Sequence, residues 1–228
     1  TSDLQVTNIL ALGGINYYCN TLPATAEYAY RNSTDTLVYL PGTRIEVENI
    51  KSKFPSTTTL LTGCDATKES LLKILNQQTF SAVHISTHGV VYNKSEIKDA
   101  EYLYLKSGNA AFIALSNVDQ GYLSAYEITN HHLENVNLVY LSACSSGIGP
   151  NMAGNGLFSI GDSFYAAGAK NVLYTLWDIP DDFATKYADM FYGELQAGQT
   201  ILKAFEKSQK YFSAKYPPAF WAAFRLIE

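Results

Sequence analysis

Hydrophobic residues in this chain fall into short runs separated by helical periodicities. Ile9 to Ile15 (ILALGGI) reads as a first core strand, with Gly13 and Gly14 loosening its end. Asn16 to Tyr39 lacks periodicity and is rich in Asn, Thr and Tyr. It reads as a long loop with one helical turn around Ala24 to Tyr30. A helix is expected after Pro41-Gly42. Thr43 and Glu46 are spaced as a capping box, and Ile45, Val47, Ile50 and Phe54 can share one face until Pro55 stops it. Thr57 to Leu61 is the second strand, and Asp65 or Thr67 caps a second helix carrying Leu71, Leu72, Ile74 and Leu75. Phe80 to Thr87 is the third strand, ending at His88-Gly89. This β-α-β-α-β order predicts a parallel sheet covered by helices.

The stretch from Val90 to Tyr126 breaks the alternation. Tyr102 to Leu105, Phe112 to Leu115 and Tyr122-Leu123 predict a small antiparallel insertion after the third strand, followed by a short helix at Ala125 to Thr129. Leu138 to Leu141 is a buried parallel strand that runs into Cys144, with a Gly-rich loop from Gly147 to Gly156 behind it. Leu157, Ile160 and Phe164 mark a helix that Gly168 can terminate, and Asn171 to Leu176 is a fifth strand. Asp181 or Asp182 then caps a helix with Phe183, Tyr187, Phe191 and Leu195. Another helix follows with Ile201, Ala204, Phe205 and Phe212, and after Pro217-Pro218 a last strand covers Phe220 to Ile227. There is no internal repeat or linker, so one domain over residues 1–228 is expected.

Composition narrows the function. The chain has 228 residues, 47% of them hydrophobic, and a net charge of −5 with no run of Lys and Arg, which argues against a nucleic-acid binder. No apolar run is long enough to span a membrane. The chain starts at Thr1 rather than Met, as a fragment of a longer protein would. Cys19, Cys64 and Cys144 are odd in number, widely spaced and without a CxxC. They fit free thiols in a reducing compartment better than a disulfide framework or a zinc site, so a cytoplasmic location is expected.

Two stretches share one build: each is an apolar strand that delivers a reactive side chain at its C-terminal end, His88 in one and Cys144 in the other. In open α/β sheets that edge is where ligands bind. A neighbouring imidazole can take the proton of a thiol, and amides in a small-residue turn can bind an oxyanion. Placement alone leaves the plainer reading open, because Cys is often simply buried and a strand-end His is often hydrogen-bonded core. Other motifs are weaker. His84 and His88 would lie roughly 13 Å apart on a strand, too far to share a metal. His84 is expected on the core side and His131-His132 in solvent. Gly147-Ile148-Gly149 lacks the third glycine of a dinucleotide loop, since position 152 is Met. Asp178, Asp181 and Asp182 are helix caps or exposed acids, or else a site for a cationic substrate.

Taken together, LPGTRIEVENIKSKF (Leu40 to Phe54), VHISTHG (Val83 to Gly89), GYLSAYEI (Gly121 to Ile128), LVYLSACSSGIG (Leu138 to Gly149), GDSFYAAGAKNVLYTLWDIPD (Gly161 to Asp181) and PPAFWAAF (Pro217 to Phe224) resemble the CHAT domain. That family is a branch of the caspase-like (clan CD) cysteine peptidases and also resembles separase. The resemblance implies a three-layer caspase-like α/β sandwich with a six-stranded, mostly parallel sheet whose last strand is antiparallel. It implies a dyad of Cys144 and His88, an oxyanion hole from the amides of Gly89 and Cys144, and endopeptidase cleavage through an acyl-enzyme without cofactor or metal. It raises Asp178 or Asp181 as a specificity residue. It also implies a protein substrate and a helical-repeat (TPR-like) regulator in cis or in trans. The competing readings are a catalytically silent scaffold and an acyl transferase using the same dyad.

Overall fold

The computed structural model describes residues 5–19, 37–92, 110–117, 121–145 and 156–228. Its centre is a sheet in the order β2-β1-β3-β6-β7-β8, built from β1 (Ile9–Ile15), β2 (Thr58–Gly63), β3 (Ala82–Tyr92), β6 (Leu138–Ser145), β7 (Val172–Thr175) and β8 (Phe224–Ile227). All neighbours on this path are parallel except β7 and β8, which are antiparallel. Two further strands, β4 (Ala110–Ala114) and β5 (Tyr122–Ser124), form the antiparallel insertion, with β4 lying along the far end of β3. The expected strand at Tyr102 to Leu105, the helical turn at Ala24 to Tyr30 and the loop at Gly147 to Gly149 lie outside the described residues.

Both faces of the sheet are covered, which is why its central strands read as unbroken apolar runs rather than alternating ones. In β1, Leu10 and Leu12 pack into one core and Ile9 and Ala11 into the other. The first core lies beneath α2 (Lys68–Gln77), α3 (Ala125–Thr129) and α4 (Gly156–Ala166), the second beneath α1 (Pro41–Lys53), α5 (Asp181–Gln196) and α6 (Ile201–Ser213). Thr67 caps α2, and Ser124 with Glu127 forms a capping box on α3.

Several local expectations are corrected. Thr43 and Glu46 do not form a capping box. The Thr43 hydroxyl donates to the Leu40 carbonyl and accepts the Gly14 N–H, while the Glu46 carboxylate turns into the sheet. Ile45 is exposed rather than on the packed face of α1. Neither Asp181 nor Asp182 caps α5, whose N-cap is Pro180. Phe220 and Trp221 belong to a helical turn, α7 (Pro218–Trp221), so the last strand starts only at Phe224.

The free-thiol expectation also fails for two cysteines. Cys19 and Cys64 form a disulfide with a Cα–Cα distance of 5.6 Å. Each follows one of two adjacent parallel strands, and the register Ile15↔Gly63 brings the residues just beyond together. The reducing compartment was inferred from free thiols, so that support for a cytoplasmic location is gone. Among the described residues, no helix is long and apolar enough to cross a membrane.

Candidate active site

β3 and β6 carry the two candidate catalytic residues as direct register partners, His88↔Cys144. Parallel strands are about 4.8 Å apart, so the two backbones meet at one point of the sheet. β3 does not end at His88 as expected; it continues to Tyr92 because β4 pairs with Gly89 to Tyr92. Gly89 therefore has β4 on one edge and Ser145 of β6 on the other.

His88 is 8% exposed. Its Nε2 lies 2.8 Å from the Val38 carbonyl oxygen, which can only accept, so Nε2 carries the proton and Nδ1 keeps its lone pair. Burial pulls the imidazole below its ordinary value, against the Val38 carbonyl and the charges of Asp181 and Asp178, which favour the protonated form. The Tyr17 ring packs against it with centroids 5.3 Å apart. Burial pushes the Tyr17 phenol up to about 12, so it stays an O–H.

The acids on the β7 side differ in what they do. The Asp181 carboxylate accepts the Gly42 N–H at 2.7 Å and so ties the first turn of α5 to the first turn of α1. A side chain at position 42 would put its Cβ 2.5 Å from the Asp181 carboxylate carbon, so the carboxylate would have to shift. Asp182 pairs with Lys186 in the exposed first turn. Asp178 is exposed, beside Leu176 and Trp177, which are also exposed.

His84 is buried, as expected, but within a polar cluster. Its Nε2 is 3.1 Å from a Glu46 oxygen, and its Nδ1 is 3.3 Å from the Tyr192 hydroxyl. The second Glu46 oxygen accepts from Ser142 at 3.2 Å. One buried carboxylate thus touches both β3 and β6, upstream of His88 and Cys144. Among the described residues, no group of three His, Cys, Asp or Glu could hold a metal ion.

Sequence reasoning missed Val38, Tyr17 and the Glu46 cluster. Val38 acts through its backbone, which leaves no mark in a sequence. The pair Tyr17-Tyr18 directly after a core strand was the available signal for the second.

The chain was compared with known proteins. The CHAT domain family model matches residues 24–228. No curated protein sequence matches. The crystal structure of the Arg-specific cysteine proteinase gingipain R superposes with a TM-score of 0.55 at 9% identity, covering 99% of this chain and 46% of that one. The chain therefore spans just under half of that proteinase, and the likeness is one of fold. Protein GSU0716 from Geobacter sulfurreducens aligns over 85% of this chain and 65% of its own at 14% identity, with a TM-score of 0.38. The helix-flanked parallel sheet with its antiparallel last strand is the caspase-like fold that the motifs led us to expect. With the family model matching from residue 24 to residue 228, the chain belongs to the CHAT domain family, whose fold is that of caspase-like cysteine peptidases.

Proposed function

We propose that the chain works as one peptidase domain, a cysteine endopeptidase with Cys144 as nucleophile and His88 as its base. The observation that carries this is the register pairing of the two residues together with the Nε2–H tether to Val38, which leaves the Nδ1 lone pair available. Nδ1 takes the Cys144 proton, and the thiolate adds to the carbonyl carbon of the scissile peptide bond. The Cys144 amide binds the oxyanion, while Gly89 is held in the sheet between β4 and β6. The C–N bond then breaks, the leaving amine takes the proton from His88, and water hydrolyses the thioester to release the acyl group and regenerate the thiol. No cofactor or metal enters any step.

The substrate is a protein segment with a basic residue at the cut. Asp178, exposed and close enough to His88 to act on its charge, would meet that residue. Asp181 is engaged by Gly42 and serves this role less well. A helical-repeat regulator, in cis or in trans, belongs to the same proposal.

The test is labelling with an electrophilic peptide probe in the native chain and in Cys144→Ala and His88→Ala. The reading expects labelling at Cys144 that both substitutions abolish. Labelling of Cys144 that persists without His88 would sink the dyad.

A further inference from the structure

The turn after β1 reaches the candidate site with two consecutive side chains. Tyr17 is 3% exposed and lays its ring against His88. Its hydroxyl receives the hydrogen bond of the His88 backbone and lies 3.1 Å from Thr87 Oγ1. Thr87 Oγ1 donates its own proton to the Ala114 carbonyl, so Tyr17 donates to Thr87. The Tyr18 hydroxyl accepts the Leu37 N–H at 3.2 Å, one residue before the carbonyl that holds His88 Nε2. One turn therefore supports the imidazole at its ring face and behind its tether.

Tyr17 is part of the hydrophobic core and Tyr18 packs against it, and further contacts tie the turn to its neighbours. Asn16 N–H reaches the Gly63 carbonyl at 3.2 Å, and the Asn16 carbonyl accepts from Ser116 at 2.8 Å. Ser116 Oγ also lies 3.5 Å from Cys19 Sγ, and one link of the turn is covalent, Cys19 to Cys64. Cys64 is exposed and Cys19 half-buried, so a reductant can reach the bond.

We propose that the Cys19–Cys64 disulfide holds Tyr17 and Tyr18 as positioning residues for His88, so that its reduction loosens the base of the dyad and lowers the reactivity of the site. The significance for catalysis rests on the Cys144–His88 reading above. The redox step takes a dithiol as reductant. One of its thiolates breaks the S–S bond to form a mixed disulfide, and its second thiol closes the oxidised ring. Two electrons and two protons pass to the chain, leaving Cys19 and Cys64 as thiols.

Loosening also changes the chemistry of His88. The groups facing it are Tyr17 from the turn, the Val38 carbonyl, and Asp181 and Asp178 from the β7 side; Cys144 is the backbone register partner of His88 on β6. The carbonyl and both acids favour the protonated imidazole, and burial opposes them. Hydrating the ring removes that opposition, so its titration moves up.

The test follows the His88 imidazole by NMR in the 228-residue chain, oxidised and after dithiothreitol, and in Cys19→Ser/Cys64→Ser. The rate of probe labelling at Cys144 is measured alongside. Reduction and the double substitution should each move the His88 titration upward and slow labelling roughly tenfold, the scale of effect expected when a catalytic group is misplaced by less than an ångström. Tyr17→Phe, which keeps the ring, should move the titration less than Tyr17→Ala. A titration identical in oxidised, reduced and doubly substituted chains overturns the proposal, whether or not Cys144 is labelled. If reduction unfolds the chain, disulfide-intact Tyr17→Ala decides, and an unmoved titration overturns it. A moved titration with Cys144 unlabelled in every form supports the positioning and overturns the peptidase reading instead.

Discussion

His88 gives its Nε2 proton to the Val38 carbonyl at 2.8 Å, fixing the tautomer of a nearly buried imidazole. Burial holds that imidazole below its ordinary value of 6.5, so the neutral base persists to lower pH than a solvated histidine would allow. The acid limb of the pH–rate profile for probe labelling should accordingly lie below 6.5, and Tyr17→Ala should raise it. Stability carries the same sign. The unfolded chain binds the His88 proton near 6.5 and the folded chain only at lower pH. Stability is therefore full above 6.5 and falls as pH drops towards the folded value. Urea unfolding across that window should show this fall, reduced in His88→Gln.

Asp178 and Asp181 are separable by two measurements. Asp181→Ala frees the Gly42 N–H and should cost about 1.5–3 kcal/mol, the range for a hydrogen bond to a charged group. Gly42→Ala drives a methyl into the same carboxylate and should cost about 1–3 kcal/mol. Asp178→Asn, a near-isosteric change of an exposed side chain, should raise KM for a peptide with a basic residue at the cut. The rise should be roughly fivefold, because an exposed ion pair contributes about 1 kcal/mol at most. Equal loss of stability in the Asp178 and Asp181 variants would remove this division of roles.

The pairing of His88 with Cys144 was legible because it rests on unbroken apolar runs and on the edge at which parallel strands end. The insertion was legible for a similar reason, since Gly121 and its neighbours interrupt strand-like runs. What escaped depends on contacts between distant residues. Thr43 and Glu46 have capping-box spacing, yet the sheet offers Glu46 His84 and Ser142, and those tertiary partners prevail over the local one. Asp181 could be read as a helix cap only while Gly42, 139 residues away in sequence, was unplaced. The disulfide was hidden because an odd cysteine count suggests free thiols until β1 and β2 are known to be neighbours.

The Glu46 cluster makes a different prediction. Both the Glu46 and His84 side chains are fully buried. Removing one partner strands the other, so Glu46→Leu should destabilise the chain by about 3–5 kcal/mol. Glu46→Leu with His84→Leu should be less destabilising than the single change, since the stranded imidazole is then gone and only the Ser142 and Tyr192 hydroxyls lose a partner. Denaturant unfolding of the two variants decides it, and a double variant weaker than Glu46→Leu would show that shape rather than charge matters there.

The disulfide closes a loop with a sequence separation of 45 between Cys19 and Cys64. Chain-entropy estimates put the destabilisation on opening such a loop at about 4 kcal/mol, with typical measured values of about 2–4 kcal/mol. For a chain of this size each kcal/mol shifts the melting temperature by about 2–4 °C, so Cys19→Ser/Cys64→Ser should melt roughly 5–15 °C lower than the oxidised chain. Reduction of the native chain should reproduce that shift, while adding dithiothreitol to the double variant should change nothing. The comparison matters for the site as well as for stability. If the double variant retained the oxidised melting temperature but lost His88 positioning, the bond would act on the turn alone. If it lost both, the turn and the β1–β2 edge would be one cooperative unit, and the redox state of Cys19 and Cys64 would set the population of chains with an assembled site.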